Sequence, residues 1–99
     1  MIVVKGEIRV KADGKDDALA ALGPAIETTR AEAGNAAYVY ARDIADPNLI
    51  HVFEEWADED ALNAHMVAPH VAELMGAVAG VMESASFTRY DATGSRSLF

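Results

Sequence analysis

The order of strand-like and helix-like hydrophobic patterns limits the fold of this chain more than any other feature. Residues 2–11 alternate between apolar and polar side chains, as a half-buried strand does. Later segments switch between this period of two and the helical period of 3.6. The pattern predicts strands over 2–11, 36–43, 49–56 and 81–90, and helical segments over 16–33, 58–66 and 69–80. The order β-α-β-β-α-β indicates an α+β domain of the ferredoxin-like class over residues 1–91, followed by a tail over 92–99.

The first helical segment carries its own boundary signals. Asp13-Gly14 is a typical turn sequence ahead of it. Pro24 has no N–H to donate to the carbonyl of Ala20, so we expect the helix to kink or break at this point. Gly34 is expected to end the helix, and Asn35 is expected to lie in the turn that follows.

The second half of the chain has equally local signals. Asp46-Pro47-Asn48 predicts a tight turn that makes the two middle strands an antiparallel hairpin. Asp58 suits the N-cap of the next helix, because its carboxylate can accept a hydrogen bond from a free backbone N–H. Pro69 suits the first turn of a further helix.

Composition and charge exclude several classes of protein. The chain has 99 residues and a net charge of −8 from 8 basic and 16 acidic side chains. The basic residues form no patch, so we expect no nucleic-acid partner. No apolar run approaches the roughly 20 residues of a membrane helix, so no membrane partner is expected. The chain contains no cysteine and no signal-peptide pattern, which favours a cytoplasmic protein.

The predicted sheet carries large apolar side chains on both of its faces. Val39 lies opposite Tyr38 on the second strand, and Phe53 lies opposite Trp56 on the third. Helices can cover only one face of such a sheet. We therefore expect the other face to pack against a second copy, giving a homodimer.

Candidate functional residues concentrate at one strand-to-helix corner. Trp56, His65 and His70 fall within fifteen residues, although the chain has one Trp and three His in all. Trp56 either closes the core at the strand end or forms a pocket wall with one donor N–H. His65 is either a proton acceptor in a pocket or a structural partner of backbone carbonyls.

The histidine spacing argues against a metal site. His65 and His70 are five residues apart, which is about 140° of rotation on one straight helix, so they would not share a face of such a helix. Pro69 also intervenes between them. The pair also lacks the i, i+4 spacing of metal ligands on a helix. His51 lies on the strand face opposite Trp56 and is expected at the subunit interface. We predict no metal site.

Glu54 shares the strand face of Trp56 and has to be paired or protonated if it faces a dry pocket. The candidate cationic partners on other strands are Arg9, Arg42 and Arg89. Tyr38 and Tyr40 line either the ligand cavity or the dimer interface, with the interface favoured. Tyr40 is retained as a candidate substrate contact.

Three stretches together resemble the antibiotic biosynthesis monooxygenase domain, including its quinol monooxygenase-like members. They are Thr28–Tyr38, Asp46–Asn48 and Glu54–His70. The resemblance implies a dimeric α+β barrel with one pocket per protomer, between the sheet and its helices. Members of this family include cofactor-free oxygenases of quinols or anthrone-like polyphenols, haem-degrading proteins and an isomerase of a phosphorylated sugar. The haem-degrading branch has an Asn in the first strand, where this chain has Gly6, Glu7 and Ile8, so that branch is disfavoured.

The residues and the resemblance together predict a cofactor-independent monooxygenase that oxidises a small quinol- or polyphenol-like substrate with molecular oxygen. His65 and Trp56 are the candidate catalytic residues, and His70, Glu54 and Tyr40 are candidate substrate contacts. No metal or other cofactor is expected. One alternative is an isomerase of an α-hydroxy ketone, which needs the same base but no oxygen. The other is a non-catalytic small-molecule-binding or dimerisation domain.

Overall fold

The computed structural model describes residues 1–13 and 15–99. The elements are β1 (Ile2–Val10), α1 (Lys15–Ala20), α2 (Gly23–Arg30), β2 (Asn35–Arg42), β3 (Leu49–Trp56), α3 (Glu59–Met66), α4 (Pro69–Ala79) and β4 (Met82–Asp91). The strands form one antiparallel sheet in the order β2-β3-β1-β4. The predicted α+β fold with ferredoxin-like strand order is therefore confirmed. The predicted turn at Asp13-Gly14 includes Gly14, which lies outside the described residues.

Strand β1 runs through the middle of the sheet, and its burial alternates along its whole length. Ile2, Val4, Ile8 and Val10 are buried on the inner face, which the helices cover. The inner face of β3 continues this core with Ile50, Val52 and Trp56. The alternation in the sequence therefore correctly identified the buried side of the central strands.

The first helical segment is broken at the position predicted. Helix α1 ends at Ala20, and α2 begins at Gly23 with Pro24 in its first turn, where a missing N–H costs no hydrogen bond.

The predicted end of this helix is wrong, because α2 stops at Arg30 and is followed by Ala31 as its C-cap. Gly34 instead turns the chain into β2 with φ of +81°, where a Cβ would come 2.6 Å from Cβ of Ala61. Asn35 is the first residue of β2 rather than a turn residue.

The predicted cap of α3 is confirmed. The Asp58 carboxylate accepts a hydrogen bond from the backbone N–H of Ala61 at 2.8 Å. Helix α3 ends at Met66, and α4 begins at Pro69 after an extended Ala68. This break changes the direction of the chain between His65 and His70, and it decides where both imidazoles lie.

The outer face of the sheet lacks a helical cover. Val39 and Phe53 on this face are 38% and 41% exposed. All of β4 beyond Met82 is exposed, and residues 92–99 form neither helix nor strand. The homodimer stays a prediction. Among the described residues, none of the helices has both the length and the apolar character required to cross a bilayer.

Candidate functional site

A cavity of about 400 Å³ lies between the inner face of the sheet and helices α3 and α4. Its walls are mostly apolar, and a few polar groups interrupt them. The lining residues are Val4, Tyr38, Tyr40, Glu54, Leu62, Asn63, His65, Met66, Val71, Leu74, Met75, Phe87, Thr88 and Arg89. A mostly apolar cavity with a few convergent polar groups is typical of small-molecule sites.

The sheet register explains why four of these residues share the cavity. Tyr38 pairs with Glu54, Glu54 pairs with Val4, and Val4 pairs with Arg89. Directly opposed residues of an antiparallel sheet point to the same face. One row across β2, β3, β1 and β4 therefore contributes a phenol, a carboxylate, an apolar side chain and a guanidinium.

Glu54 is held by Trp56 rather than by an arginine. The indole Nε1 of Trp56 donates a hydrogen bond to Oε1 of Glu54 at 3.0 Å. Burial raises the pKa of Glu54, and the indole hydrogen bond and nearby His65 act in the opposite direction. A carboxylate in this environment is available as a hydrogen-bond partner facing the cavity.

The three predicted arginine partners of Glu54 are wrong. Each guanidinium is engaged by carboxylates at the edge of the structure. Arg9 binds Asp46, Arg42 binds Asp16, and Arg89 binds both Glu59 and Asp91. Long cationic side chains keep their charged ends in water wherever an exposed partner is available.

Trp56 belongs to the core and does not form a cavity wall. Its side chain is 0% exposed and packs with Leu74 and Val78, and it is not among the described residues that line the cavity. Its predicted role as a pocket wall is therefore wrong. The structure gives it the indirect role of holding Glu54.

His65 is the buried imidazole of the cavity. Its side chain is 3% exposed, and its ring lies 4.7 Å from the Trp56 ring and 5.2 Å from the Tyr38 ring, centroid to centroid. Its Nδ1 lies 2.8 Å from Oε2 of Glu32, and its Nε2 lies 3.9 Å from Oε1 of Glu54. The two ring nitrogens therefore face carboxylates, and the alternative of a backbone-carbonyl partner is wrong.

His70 reaches the same carboxylate as His65. Its Nε2 lies 3.2 Å from Oε2 of Glu32, and its ring centroid is 6.1 Å from that of His65. The predicted break ahead of Pro69 is confirmed, so the rotation argument for one straight helix does not apply and both histidines reach Glu32. His70 does not line the cavity, so its predicted substrate contact is wrong.

Glu32 is the functional residue that the sequence reasoning missed. It lies in the connection between α2 and β2 and binds both imidazoles with one oxygen. The available signal was its place in the stretch Thr28–Tyr38, which carries the family resemblance. With His65 and His70 it forms a group of donors that could hold a metal ion, because their ligand atoms lie within 4.8 Å of one another.

Tyr38 and Tyr40 belong to the cavity rather than to the outer face. Both line it, their hydroxyl oxygens are 3.5 Å apart, and Tyr38 is buried. The prediction that favoured the dimer interface for both tyrosines is therefore wrong. The predicted position of Tyr40 at the cavity agrees with the structure. Burial is the main cause that raises the pKa of both phenols above the ordinary value. At neutral pH they are O–H donors.

His51 stands outside this group. It lies on the outer face of β3, and its Nε2 is 2.8 Å from Oδ2 of Asp43. The predicted face of His51 is confirmed, and its place at an interface stays a prediction.

The described residues define a small α+β protein with a mostly apolar, partly open cavity between its sheet and its helices. The model of the family described as antibiotic biosynthesis monooxygenase matches residues 1–77. The chain therefore belongs to the antibiotic biosynthesis monooxygenase family.

Two curated relatives support this assignment. The Bacillus subtilis protein YcnE, named provisionally as a monooxygenase, is 31% identical over 70 residues, covering 71% of this chain and 74% of YcnE. The uncharacterised Synechocystis protein sll1783 is 35% identical over 74 residues, covering 75% of this chain. This chain spans about half the length of sll1783, because the match covers 50% of it.

Solved structures agree with the fold. A Deinococcus radiodurans protein, described provisionally as an antibiotic biosynthesis monooxygenase, superimposes with a TM-score of 0.89 at 21% identity. The match covers 100% of this chain and 99% of that one. Rv0793 from Mycobacterium tuberculosis gives a TM-score of 0.85 at 22% identity, covering 97% and 98% of the two chains.

Proposed function

We propose that this protein is a monooxygenase that oxidises a small, electron-rich aromatic substrate with molecular oxygen and uses no metal or organic cofactor. The observation that carries the proposal is the cavity of about 400 Å³ with His65 buried in its wall. Family membership supports the reaction class. The apolar lining and the cavity volume support a quinol or a compact polyphenol as the substrate class.

Glu32 gives His65 the tautomer that this chemistry requires. An ionised carboxylate only accepts hydrogen bonds, so Nδ1 of His65 carries the proton in its 2.8 Å contact with Oε2 of Glu32. Nε2 then holds the lone pair on the side of Glu54, which lines the cavity. His65 can accept a proton from a phenol or an activated methylene at this nitrogen.

The deprotonated substrate is the reductant. For an anthrone-type methylene, loss of a proton to His65 leaves a carbanion that transfers one electron to O2. The resulting radical pair combines to form a C–O bond, and loss of water from the hydroperoxide gives a carbonyl. The balance is CH2 plus O2 to C=O plus H2O, so the substrate supplies all four electrons. The Tyr38 hydroxyl donates to the Tyr40 oxygen at 3.5 Å, so the Tyr40 O–H is the donor for the developing oxyanion.

The charges around the cavity disfavour a phosphorylated substrate and hence the sugar-isomerase alternative. Among the described residues that line it, Arg89 is the only Lys or Arg. Its guanidinium is already bound by Glu59 and Asp91. A phosphate would have to displace these carboxylates.

The proposed assembly is a homodimer through the outer face of the sheet. Val39, Phe53 and Tyr90 are large side chains left 38%, 41% and 50% exposed. A second copy is the occupant that would remove them from water. Sedimentation of the wild type and of Phe53→Glu tests this: we expect a dimer that the variant converts to monomer, and a monomeric wild type would contradict it.

Oxygen uptake tests the reaction. The purified protein, treated with a chelator, is given a panel of hydroquinones and anthrones, and product is collected under ¹⁸O₂. We expect uptake above autoxidation, with one labelled oxygen in the product. His65→Asn should lower kcat by about 10²–10⁴-fold, the usual contribution of a general base.

His51→Asn is the matched control, because it changes the same residue type on the outer face. It should leave uptake unchanged. No uptake with any compound, or equal uptake in the His65 variant, would contradict the proposal and favour a non-catalytic binding domain.

A further inference from the structure

Glu32, His65 and His70 converge on one point behind the cavity, and we propose that they form a binding site for a divalent transition-metal ion such as Zn²⁺. The donor atoms are Oε2 of Glu32, Nδ1 of His65 and Nε2 of His70, and all three lie within 4.8 Å of one another. They come from the connection after α2, from α3 and from α4. Three donors from three segments give a site that forms only in the folded chain.

The donor set selects the class of metal. Two imidazole nitrogens and one carboxylate oxygen suit zinc and its first-row neighbours. Magnesium and calcium favour sites made of oxygen alone. The chain has no cysteine, so imidazole is the softest donor within this group of three residues.

Two of the three donor separations are close to those around a coordinated metal, and the third is within 4.8 Å. Two ligands at about 2.0–2.1 Å from a tetrahedral zinc ion are about 3.3 Å apart. Nε2 of His70 and Oε2 of Glu32 are 3.2 Å apart, and Nδ1 of His65 is 2.8 Å from the same oxygen. Metal uptake needs the Glu32 oxygen to move slightly away from both nitrogens and the two imidazoles to adjust around the ion, and it releases the protons that these nitrogens share with Glu32.

A carboxylate lies near the second ring nitrogen of His65, beyond hydrogen-bond distance in the metal-free arrangement. A metal-bound histidine usually directs its other ring nitrogen at a carboxylate, which orients the ring. Nε2 of His65 lies 3.9 Å from Oε1 of Glu54, which Trp56 holds. The side chains of His70 and Glu32 are 17% and 19% exposed, so an ion can enter from solvent without crossing the cavity.

Metal binding would inhibit the proposed oxygenase, and this consequence rests on the proposed function. A metal ion on Nδ1 of His65 leaves the ring proton on Nε2, the nitrogen that would otherwise accept the substrate proton. The loaded protein would then lack its base. The binding proposal itself involves no substrate and stands or falls separately.

Calorimetry with zinc chloride tests the site on the full chain, after treatment with a chelator and removal of that chelator. We expect about one Zn²⁺ per chain and no binding of Mg²⁺. Glu32→Gln and His70→Ala should each weaken zinc binding by at least roughly tenfold. His51→Ala should bind as the wild type does, because it removes only the unrelated outer pair with Asp43.

Imidazole NMR locates the ion and guards against misfolded variants. Zinc should shift the ring resonances of His65 and His70 in the wild type and leave those of His51 in place. Circular dichroism shows whether each of the two site variants, Glu32→Gln and His70→Ala, is folded. One folded variant is enough to test whether these residues bind zinc. Absence of zinc binding by the wild type, unchanged affinity in a folded site variant, or zinc shifts confined to His51 would overturn the proposal.

Discussion

Two histidine–carboxylate pairs lie on opposite sides of the sheet at the same separation, and their surroundings differ. Nδ1 of His65 and Oε2 of Glu32 are 2.8 Å apart, as are Nε2 of His51 and Oδ2 of Asp43. The His65 side chain is 3% exposed and the His51 side chain 42%. The inner pair also has Glu54 near its second nitrogen. The comparison teaches that burial and neighbouring groups, rather than pair distance, distinguish a candidate site histidine from a histidine in a surface ion pair.

The largest expected difference between the two sides is in stability. Trp56→Ala removes a fully buried ring from the inner face and leaves Glu54 without its indole donor. We expect a loss of about 3–5 kcal/mol in the free energy of unfolding. His51→Ala on the outer face of the same strand should change it by only about 0.5 kcal/mol. Urea unfolding measures both, and similar losses would contradict the contrast.

The carboxylates provide a second, smaller contrast. Glu32 accepts hydrogen bonds from two imidazoles in a mostly buried setting, so Glu32→Gln should cost about 1–3 kcal/mol. Asp43→Asn on the exposed side should cost less, because water replaces its partners. Urea midpoints of the two variants test this order, and a larger loss for Asp43→Asn would reverse it.

The smallest expected effect appears at acid pH on the outer side. The hydrogen bond from His51, followed by those from the backbone N–H groups of Ala45 and Asp46, holds the pKa of Asp43 below its ordinary value. A carboxylate with a lowered folded-state pKa stabilises the protein above its unfolded pKa. That stabilisation is lost as the pH falls through the folded-state pKa.

Asp43→Asn should therefore flatten the fall of the unfolding free energy below about pH 4. Chemical unfolding between pH 7 and pH 3 compares the variant with the wild type. Identical acid slopes would show that the exposed pair contributes nothing.

Local sequence patterns were sufficient for the fold and for part of the site. Strand alternation put Glu54 and Trp56 on one face, and the missing N–H of Pro24 located the helix break. Asp58 identified the start of α3 through its cap. These features depend on neighbours within a few residues, so the hydrophobic period of a segment or a single side chain is enough to predict them.

Such local patterns could not predict that Glu32, His65 and His70 lie close together in the folded chain. Glu32 is 33 residues from His65 and 38 from His70, and the packing of α3 on β3 and of α4 on α2 brings them together. The rotation argument for the two histidines assumed one straight helix. The break ahead of Pro69, which the sequence predicts and the structure has, means that helical spacing does not fix the relative positions of the two rings.

Ligand binding followed by imidazole NMR tests the central claim, that the cavity at His65 is the functional site, most directly. The ¹⁵N-labelled protein is titrated with hydroquinone under nitrogen, so that no turnover occurs. The ring resonances of His65 should shift saturably, and those of His51 should stay in place. A shift confined to His51, or no shift at either ring up to the solubility of the ligand, would contradict the account.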